Sequence, residues 1–441
     1  MKYDSEIMPD SYYKFAHHQW RLIVVLTILT LLSSIDRQTI SLLIDPIRHD
    51  LELTDTQASL LLGLSFASAY ILAAPVSGWL ADRRSRRRII GVGTAIWSTM
   101  TMVCGLASTY WQLFFARMGT GVSEALLLPS ATSMIRDGVD PIRRGRAFAV
   151  LAMGMPAGAG AAMLVGGAVI GALSASDPTI LPWGQKLAVW QMVLVLVGAP
   201  GLLLALLMFA VREPPRSVSA DPLVAHMRYR EAFAYIGRRR LLYGSIWLFF
   251  IGTGMITNAM GAWLPAMLGR VWGLTPVEVG STVGLAIVLL APVGLAIGGW
   301  TVDWSAKRNS QRGIIGISLF TVLALAGPGV AMPLAPSLTV FWALFAVQIL
   351  ASGLPHMIAN TMIASVTPSR AVGRVSAIQL FVHGIATSVL GPTVVAVISD
   401  RMFSGTHALA HALSLTAAVC GAAALIAWCA LLRTYRASVL E

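Results

Sequence analysis

Two stretches, Gly78-Trp79-Leu80-Ala81-Asp82-Arg83-Arg84-Ser85-Arg86-Arg87 and Gly299-Trp300-Thr301-Val302-Asp303-Trp304-Ser305-Ala306-Lys307-Arg308, align without a gap when the chain is laid against itself. The same offset places Leu53-Thr54 on Leu274-Thr275 and Gly63-Leu64 on Gly284-Leu285. Each repeat opens with a capping box, Thr54-Asp55-Thr56-Gln57 and Thr275-Pro276-Val277-Glu278. In such a box the hydroxyl and the Gln or Glu side chain satisfy the first free N–H groups of a helix. Each then closes on Gly-Trp-x-x-Asp and basic residues. The chain therefore reads as a tandem of two similar halves.

What solvates those halves follows from composition. Of 441 residues, 56% are hydrophobic and 12% are charged, and the mean hydropathy is +0.73. Soluble proteins carry about 25% charged residues, so lipid rather than water must cover most of this surface. An ordinary aqueous enzyme, a disulfide scaffold and a disordered binder are excluded. A bilayer core of about 30 Å needs roughly 20 apolar residues in a helix. Twelve such spans are predicted, at 20–44, 57–80, 89–108, 110–135, 147–173, 188–211, 241–268, 278–302, 313–332, 338–364, 375–399 and 408–432. They group as an N-terminal six-helix half (20–211), a basic linker (212–240) and a C-terminal six-helix half (241–432). Residues 1–19 and 433–441 are tails. The first span lacks a small-residue cleavage site and is too long for a signal peptide. Parallel six-helix repeats are an alternating-access architecture. In the linker an amphipathic stretch around Ala225–Ile236 is expected to lie on the membrane surface.

Net charge is +12, from 32 Lys and Arg against 20 Asp and Glu. Nearly all the basic residues fall in loops that would share one face. The opposite loops hold only Arg48, Lys186, Arg270 and Arg401. Positive charge marks the cytoplasmic side, so both termini are expected in the cytoplasm of a bacterial-type inner membrane. Nucleic-acid binding is not needed to explain the basic balance. Cys104, Cys420 and Cys429 have no metal-ligand spacing and read as small core residues. No cofactor is expected.

Four charged residues fall deep inside predicted spans: Asp36 and Arg37 in the first, Arg117 and Glu124 in the fourth. A charge in hydrocarbon costs a few kcal/mol or more and marks a transport path by default. Arg117 and Glu124 are two turns apart on one helix face. A carboxylate facing an arginine stays ionised, whereas one left in an apolar wall takes a proton. Asp36, Glu124 and Arg117 are thus candidates for proton coupling, with Arg37 contacting the polar head of a substrate. The alternative is a pair of structural salt bridges.

Gly78-Trp-Leu-Ala-Asp82-Arg83-Arg-Ser85-Arg86-Arg87 resembles the signature loop of the major facilitator superfamily, G-x-L-x-D-R-x-G-R-R/K. Ser85 replaces its usual glycine, and Trp304 replaces an arginine in the second copy. Ser34-Ile-Asp36-Arg37-Gln38, Arg117-Met-Gly-Thr-Gly121-Val-Ser-Glu124-Ala125 and Gly391-Pro392-Thr393 to Asp400 are similar to the Spinster-like branch, transporters of lysophospholipids and sphingolipid-type amphiphiles. The Asp-Arg and Arg…Gly-x-x-Glu-Ala elements also occur in anion:cation symporters, although Ser123 stands where both branches usually have glycine. The resemblance implies an all-α membrane fold of two six-helix halves about a pseudo-two-fold axis. It also implies that spans one and four line a common cavity. It assigns gating to Asp82, Arg83, Arg86 and Asp303, with Asp82 docking at the start of span eleven, near Gly373–Ser376, in one state only. In this reading Asp82 and Arg86 share a helix end. Asp55, beside the capping box, reads as a simple contact with the helix dipole; the alternative is a lesser role in outer gating or proton entry.

The second half has no acidic residue within a span. It carries Asn258, His356, Asn360, Gln379 and His383. These form either a polar substrate patch or hydrogen bonds between helices. Trp263 and Phe381 are candidates for an apolar wall. The glycines from Gly154 to Gly167 let helices approach closely but do not match the antiporter order Gly-Pro-x-x-Gly-Gly, and no strand precedes them to make a dinucleotide site. A membrane transferase lacks its catalytic pair and aqueous loop here, and a channel lacks its pore rings. The expectation is a monomeric, proton-driven secondary transporter. Its cargo is an amphiphilic, lipid-like or bulky organic solute. The alternative cargo is a small organic anion such as an aromatic or sugar carboxylate.

Overall fold

A computed structural model describes residues 10–175, 186–216, 229–307 and 311–438. The ends of both tails, Arg308 of the repeat and the first part of the amphipathic linker stretch lie outside the described residues. The chain forms helices α1 (Asp10–Asp50), α2 (Asp55–Leu62), α3 (Leu64–Arg83), α4 (Arg86–Gly105), α5 (Tyr110–Glu124), α6 (Leu127–Gly138), α7 (Arg144–Ser174), α8 (Val189–Ala210) and α9 (Tyr229–Arg238). The second half contributes α10 (Arg240–Trp272), α11 (Pro276–Lys307), α12 (Gln311–Ala331), α13 (Leu338–Ala351), α14 (Leu354–Val366), α15 (Ser369–Gly384), α16 (Gly391–Met402) and α17 (Ala408–Ser438). A π-helical segment, Ile385–Leu390, joins α15 to α16.

Among the described residues, ten segments are long and apolar enough to cross a membrane. They coincide with ten of the predicted spans. The other two are α4 and the α5–α6 pair, in the third and fourth places. α4 carries Arg88 and the hydroxyls of Thr94, Ser98, Thr99 and Thr101, and α5–α6 is interrupted at Ala125 and Leu126. Both capping boxes form: Thr54 accepts from the Gln57 N–H at 3.1 Å, and Thr275 from the Glu278 N–H at 3.3 Å.

Two boundaries change the functional reading. α1 continues to Asp50, which puts Asp45 and Arg48 on a helix rather than in a loop. α10 continues to Trp272 and stops where Gly273 adopts φ 66°, a left-handed conformation that glycine takes without strain. Arg270 therefore sits on the last turn of a span.

α7 packs along α1 and α11, α4 along α8, and α10 along α17. The α7–α11 contact is close because a Cβ at Gly160 would lie 3.0 Å from the Gly284 carbonyl oxygen. Burial shows how the halves meet. At the arginine-poor end one hydrophobic core runs through both halves, from Ile40, Ile44 and Leu61 to Trp263, Met267 and Val395. At the arginine-rich end there are two separate cores. One is built on Leu26, Trp97 and Met134, the other on Tyr243, Phe249 and Val375. Apolar burial stabilises by about 25 cal/mol per Å², so a shared core holds the arginine-poor end together, and among the described residues no such core joins the halves at the other end.

Candidate functional site

Between the halves lies a cavity of about 630 Å³. Its polar lining includes Arg37, Gln38, Arg117 and Asn258, and its apolar lining includes Phe66, Ile71 and Leu380. The four embedded charges meet at its N-half wall. Arg37 Nε lies 3.0 Å from Glu124 Oε1, and Arg117 Nη1 lies 3.8 Å from Asp36 Oδ2. Each carboxylate thus pairs with the guanidinium of the other helix, so side chains bridge α1 and α5. Ser33, one turn before Arg37, donates to Glu124 at 2.5 Å, and Thr101 of α4 donates to Asp36 at 2.7 Å. Phe66 lies beneath both guanidiniums, 5.5 Å from Arg37 and 5.1 Å from Arg117. Such cation–π contacts contribute about 0.5–2 kcal/mol.

The site is dry on one side and wet on the other. Asp36, Arg117 and Glu124 are each at most 3% exposed, whereas the Arg37 side chain is 31% exposed toward the cavity. Asp36 Oδ2, Glu124 Oε2 and Arg117 Nε have no hydrogen-bond partner among the described residues. Unsatisfied buried polar atoms are costly in low dielectric, so the network has capacity left for a proton or a ligand atom. Gly121 lets α3 pack closely on α5 and bring Phe66 under the guanidiniums, because any Cβ there would meet the Phe66 carbonyl oxygen.

Ser33, Phe66 and Thr101 are not legible as site residues in the sequence. Hydroxyls and a single aromatic residue are common in spans, and only the helix packing selects these three. Ser33 carries a weak signal, its spacing of four from Arg37.

A second cluster closes the arginine-poor end. Arg270 of α10 reaches Asp45 of α1, with Nη2 at 2.5 Å, and Asp55 at the start of α2, with both terminal nitrogens at 2.8 Å. Ser399 of α16 donates to Asp55 at 3.2 Å, and Thr56 donates to Asp400 at 2.6 Å. Asp55 is buried, so it is more than an exposed helix-start charge. Arg270 reads from the sequence as a loop residue, and the length of α10 corrects this.

At the arginine-rich end the geometry corrects the expected pairing within the signature loop. α3 ends at Arg83 and α4 begins at Arg86, so Asp82 and Arg86 do not share a helix end. Arg86 is 1% exposed and binds Asp137 of α6, Glu213 of the linker and the Pro214 carbonyl. Ser85 has φ −60°, caps α4 and donates to Glu213, so this turn does not need the usual glycine. Burial works against the Glu213 carboxylate, but donors from Ser85 and Arg86 outweigh it and hold the group below its ordinary range. Asp82, Arg83 and Asp303 are exposed, and Gly373 on α15 is exposed as well.

The C-half polar residues separate. Asn258 lines the cavity and donates back to the Gly254 carbonyl at 3.0 Å. His356, Asn360 and His383 are not among the lining residues. His383 stacks on Phe250 with centroids 3.5 Å apart, and His356 meets His383 edge-on at 5.2 Å. The side-chain oxygen and nitrogen of Gln379 are buried without a partner among the described residues. Trp263 is fully buried and donates to the Pro392 carbonyl at 3.0 Å, so it belongs to the shared core rather than the cavity wall. Phe381 is exposed and is not among the lining residues either.

Comparison with known proteins agrees with this architecture. The model of the Major Facilitator Superfamily matches residues 26–389. An MFS-type efflux pump of Mycolicibacterium smegmatis is 29% identical, over 96% of this chain and 94% of its own. Protein spinster homolog 1 of Xenopus tropicalis is 23% identical, over 88% of this chain and 74% of its own. A probable L-galactonate transporter of Escherichia coli is 26% identical, over 92% and 88%. Among solved structures, a bacterial homolog of the human lysosomal transporter Spinster, inward-facing and unoccupied, shares the fold with TM-score 0.80. It is 24% identical over 96% of this chain and 98% of that one. The chain belongs to the Major Facilitator Superfamily: it is a multi-pass membrane transporter rather than an enzyme, and it resembles the Spinster-like branch.

Proposed function

We propose that the protein is a proton-coupled, alternating-access transporter of an amphiphilic or bulky organic solute with an anionic head. The observation that carries this reading is the crossed acid–arginine network, with Arg37 the more exposed of its two guanidiniums toward a large and largely apolar cavity. Protonation of Glu124 weakens its hold on Arg37 and leaves the guanidinium to a carboxylate or phosphate head. Loss of the proton recaptures Arg37 and expels the head. Asp36 and Arg117 form the second, drier pair and take up charge as the first one opens. Of the C-half polar residues, Asn258, which lines the cavity, contacts the solute directly, while His356, Asn360 and His383 lie outside the lining and support the wall.

In this cycle the two halves, 20–211 and 241–432, rock about the site as bodies joined by the 212–240 linker. The arginine-rich face is cytoplasmic, so both termini are inside and the cavity opens inward. In the opposite state Asp82 docks at the start of α15, while Arg83, Arg86 and Asp303 steady that contact. A helix N-terminus favours a carboxylate by about 0.3–1 kcal/mol, enough to bias the cycle without locking it. The protein is taken to act as a monomer among membrane lipids, driven by the proton gradient alone.

A second reading, symport of a small organic anion, is favoured by two guanidiniums stacked on one ring and by the relative described as a probable L-galactonate transporter. Proteoliposomes loaded with a pH dye separate the two. Lysophosphatidylglycerol and a sugar acid are added in turn across inward and outward proton gradients. Proton flux with the lysolipid supports the first reading, and flux with the sugar acid alone supports the second. Glu124→Gln should abolish gradient-driven flux while exchange of solute for solute persists. Undiminished gradient-driven flux in that variant would refute the relay.

A further inference from the structure

α10 contains Pro265 well inside its length. Proline has no N–H, so the carbonyl four residues earlier, that of Gly261, loses its intrahelical donor. In a membrane such a freed carbonyl must find a partner from a neighbouring helix. The donors here come from the other half of the protein. Gln38 Nε2 donates to the Gly261 carbonyl at 3.1 Å. Ser41 Oγ lies 2.9 Å from the same carbonyl and 2.7 Å from that of Ala262. One hydroxyl hydrogen cannot serve two carbonyls fully, so Gln38 is the dedicated donor. Gln38, Ser41, Gly261 and Ala262 all line the central cavity, and Gln38, Gly261 and Pro265 also border a smaller adjoining one of about 70 Å³.

We propose that Gln38 is a positioning residue of the transport cycle, which clasps α1 to α10 through a carbonyl that Pro265 leaves free. The clasp lies between the charge site and the Arg270 cluster, on the two helices that carry them. It is also reversible. Both of its partners face the cavity, so each is wetted when the halves part, and opening costs only the small net value of a neutral hydrogen bond. A proline and a glutamine thereby set how readily the arginine-poor end opens. The inference rests on the alternating-access reading above but not on the identity of the solute.

The test measures spin-label distances across the arginine-poor end, between Glu52→Cys and Ser404→Cys, in a chain whose three native cysteines are alanine. The full-length protein is held in nanodiscs. Gln38→Leu, or Gln38→Met as a second variant that preserves length, is expected to raise the ratio of parted to closed populations roughly fivefold. In a Pro265→Ala background the backbone N–H restored by the substitution takes the Gly261 carbonyl, and the same Gln38 substitutions should then move the ratio little. An equal shift in both backgrounds would assign the effect to packing and overturn the proposal. So would lowered thermal stability with an unmoved ratio. A wild-type chain with one population under every condition would overturn the alternating-access reading as well, whereas two wild-type populations untouched by Gln38→Leu would overturn only the role of Gln38.

Discussion

Replacement of Arg270 by glutamine should open the arginine-poor end. Arg270 joins α10 to Asp45 and to the buried Asp55 through contacts of 2.5–2.8 Å. Its side chain is 18% exposed, between the surface pairs that contribute about 0.2–1 kcal/mol and the buried ones whose breakage costs about 3–5 kcal/mol. Arg48 stands 3.7 Å from both carboxylates and softens the loss. A net change of about 2 kcal/mol follows, or roughly 30-fold in the ratio of closed to open forms. Ala159→Cys, on the cavity wall, reports this through its reaction with an impermeant maleimide applied from the arginine-poor face. While the open form is a minority, the labelling rate scales with its population. A rise of roughly 30-fold is therefore expected, partly reversed by the charge swap Asp55→Arg with Arg270→Asp. Labelling of Arg270→Gln at the wild-type rate would show that the shared hydrophobic core alone closes this end.

Other substitutions test the site and its scaffold. Gly121→Val forces α3 away from α5 at Phe66 and should cost about 2 kcal/mol or more of stability along with transport, as thermal unfolding in detergent would record. Thr101→Val removes the donor to Asp36 while keeping the shape, so folding should persist while the pH profile of transport moves; an unchanged profile would take Asp36 out of the coupling. Glu213→Gln should lower stability at neutral pH by about 1 kcal/mol. Because the Glu213 carboxyl is held below its ordinary 4.5, its contribution is present above that pH and fades as pH falls through the lower folded value. The gap between wild type and variant should thus narrow in acid, and a gap independent of pH would point to packing instead.

How much of this is legible in the chain can be judged residue by residue. The span count, the repeat and the capping boxes rest on apolar periodicity and local hydrogen bonds, which depend only on neighbouring residues. The four embedded charges stand out for the same reason: a charge in a span is improbable wherever that span later packs. Arg270 reads as a loop residue because the apolar run fades before the helix does, and only Gly273 marks the true stop. The Asp82–Arg86 pairing fails because the turn at Arg84 and Ser85 separates two helices.

The sequence by itself therefore determined that this is a multi-span membrane protein built on a tandem repeat, with four charges deep in its spans. Hydrophobicity and capping are local properties. The tertiary structure decided that Asp36 faces Arg117 while Arg37 faces Glu124, that Arg270 bridges α10 to Asp45 and Asp55, and that Gln38 serves a carbonyl freed by Pro265. Each of those depends on how far one helix is rotated against another and how closely a glycine lets them approach, and no single helix carries that information.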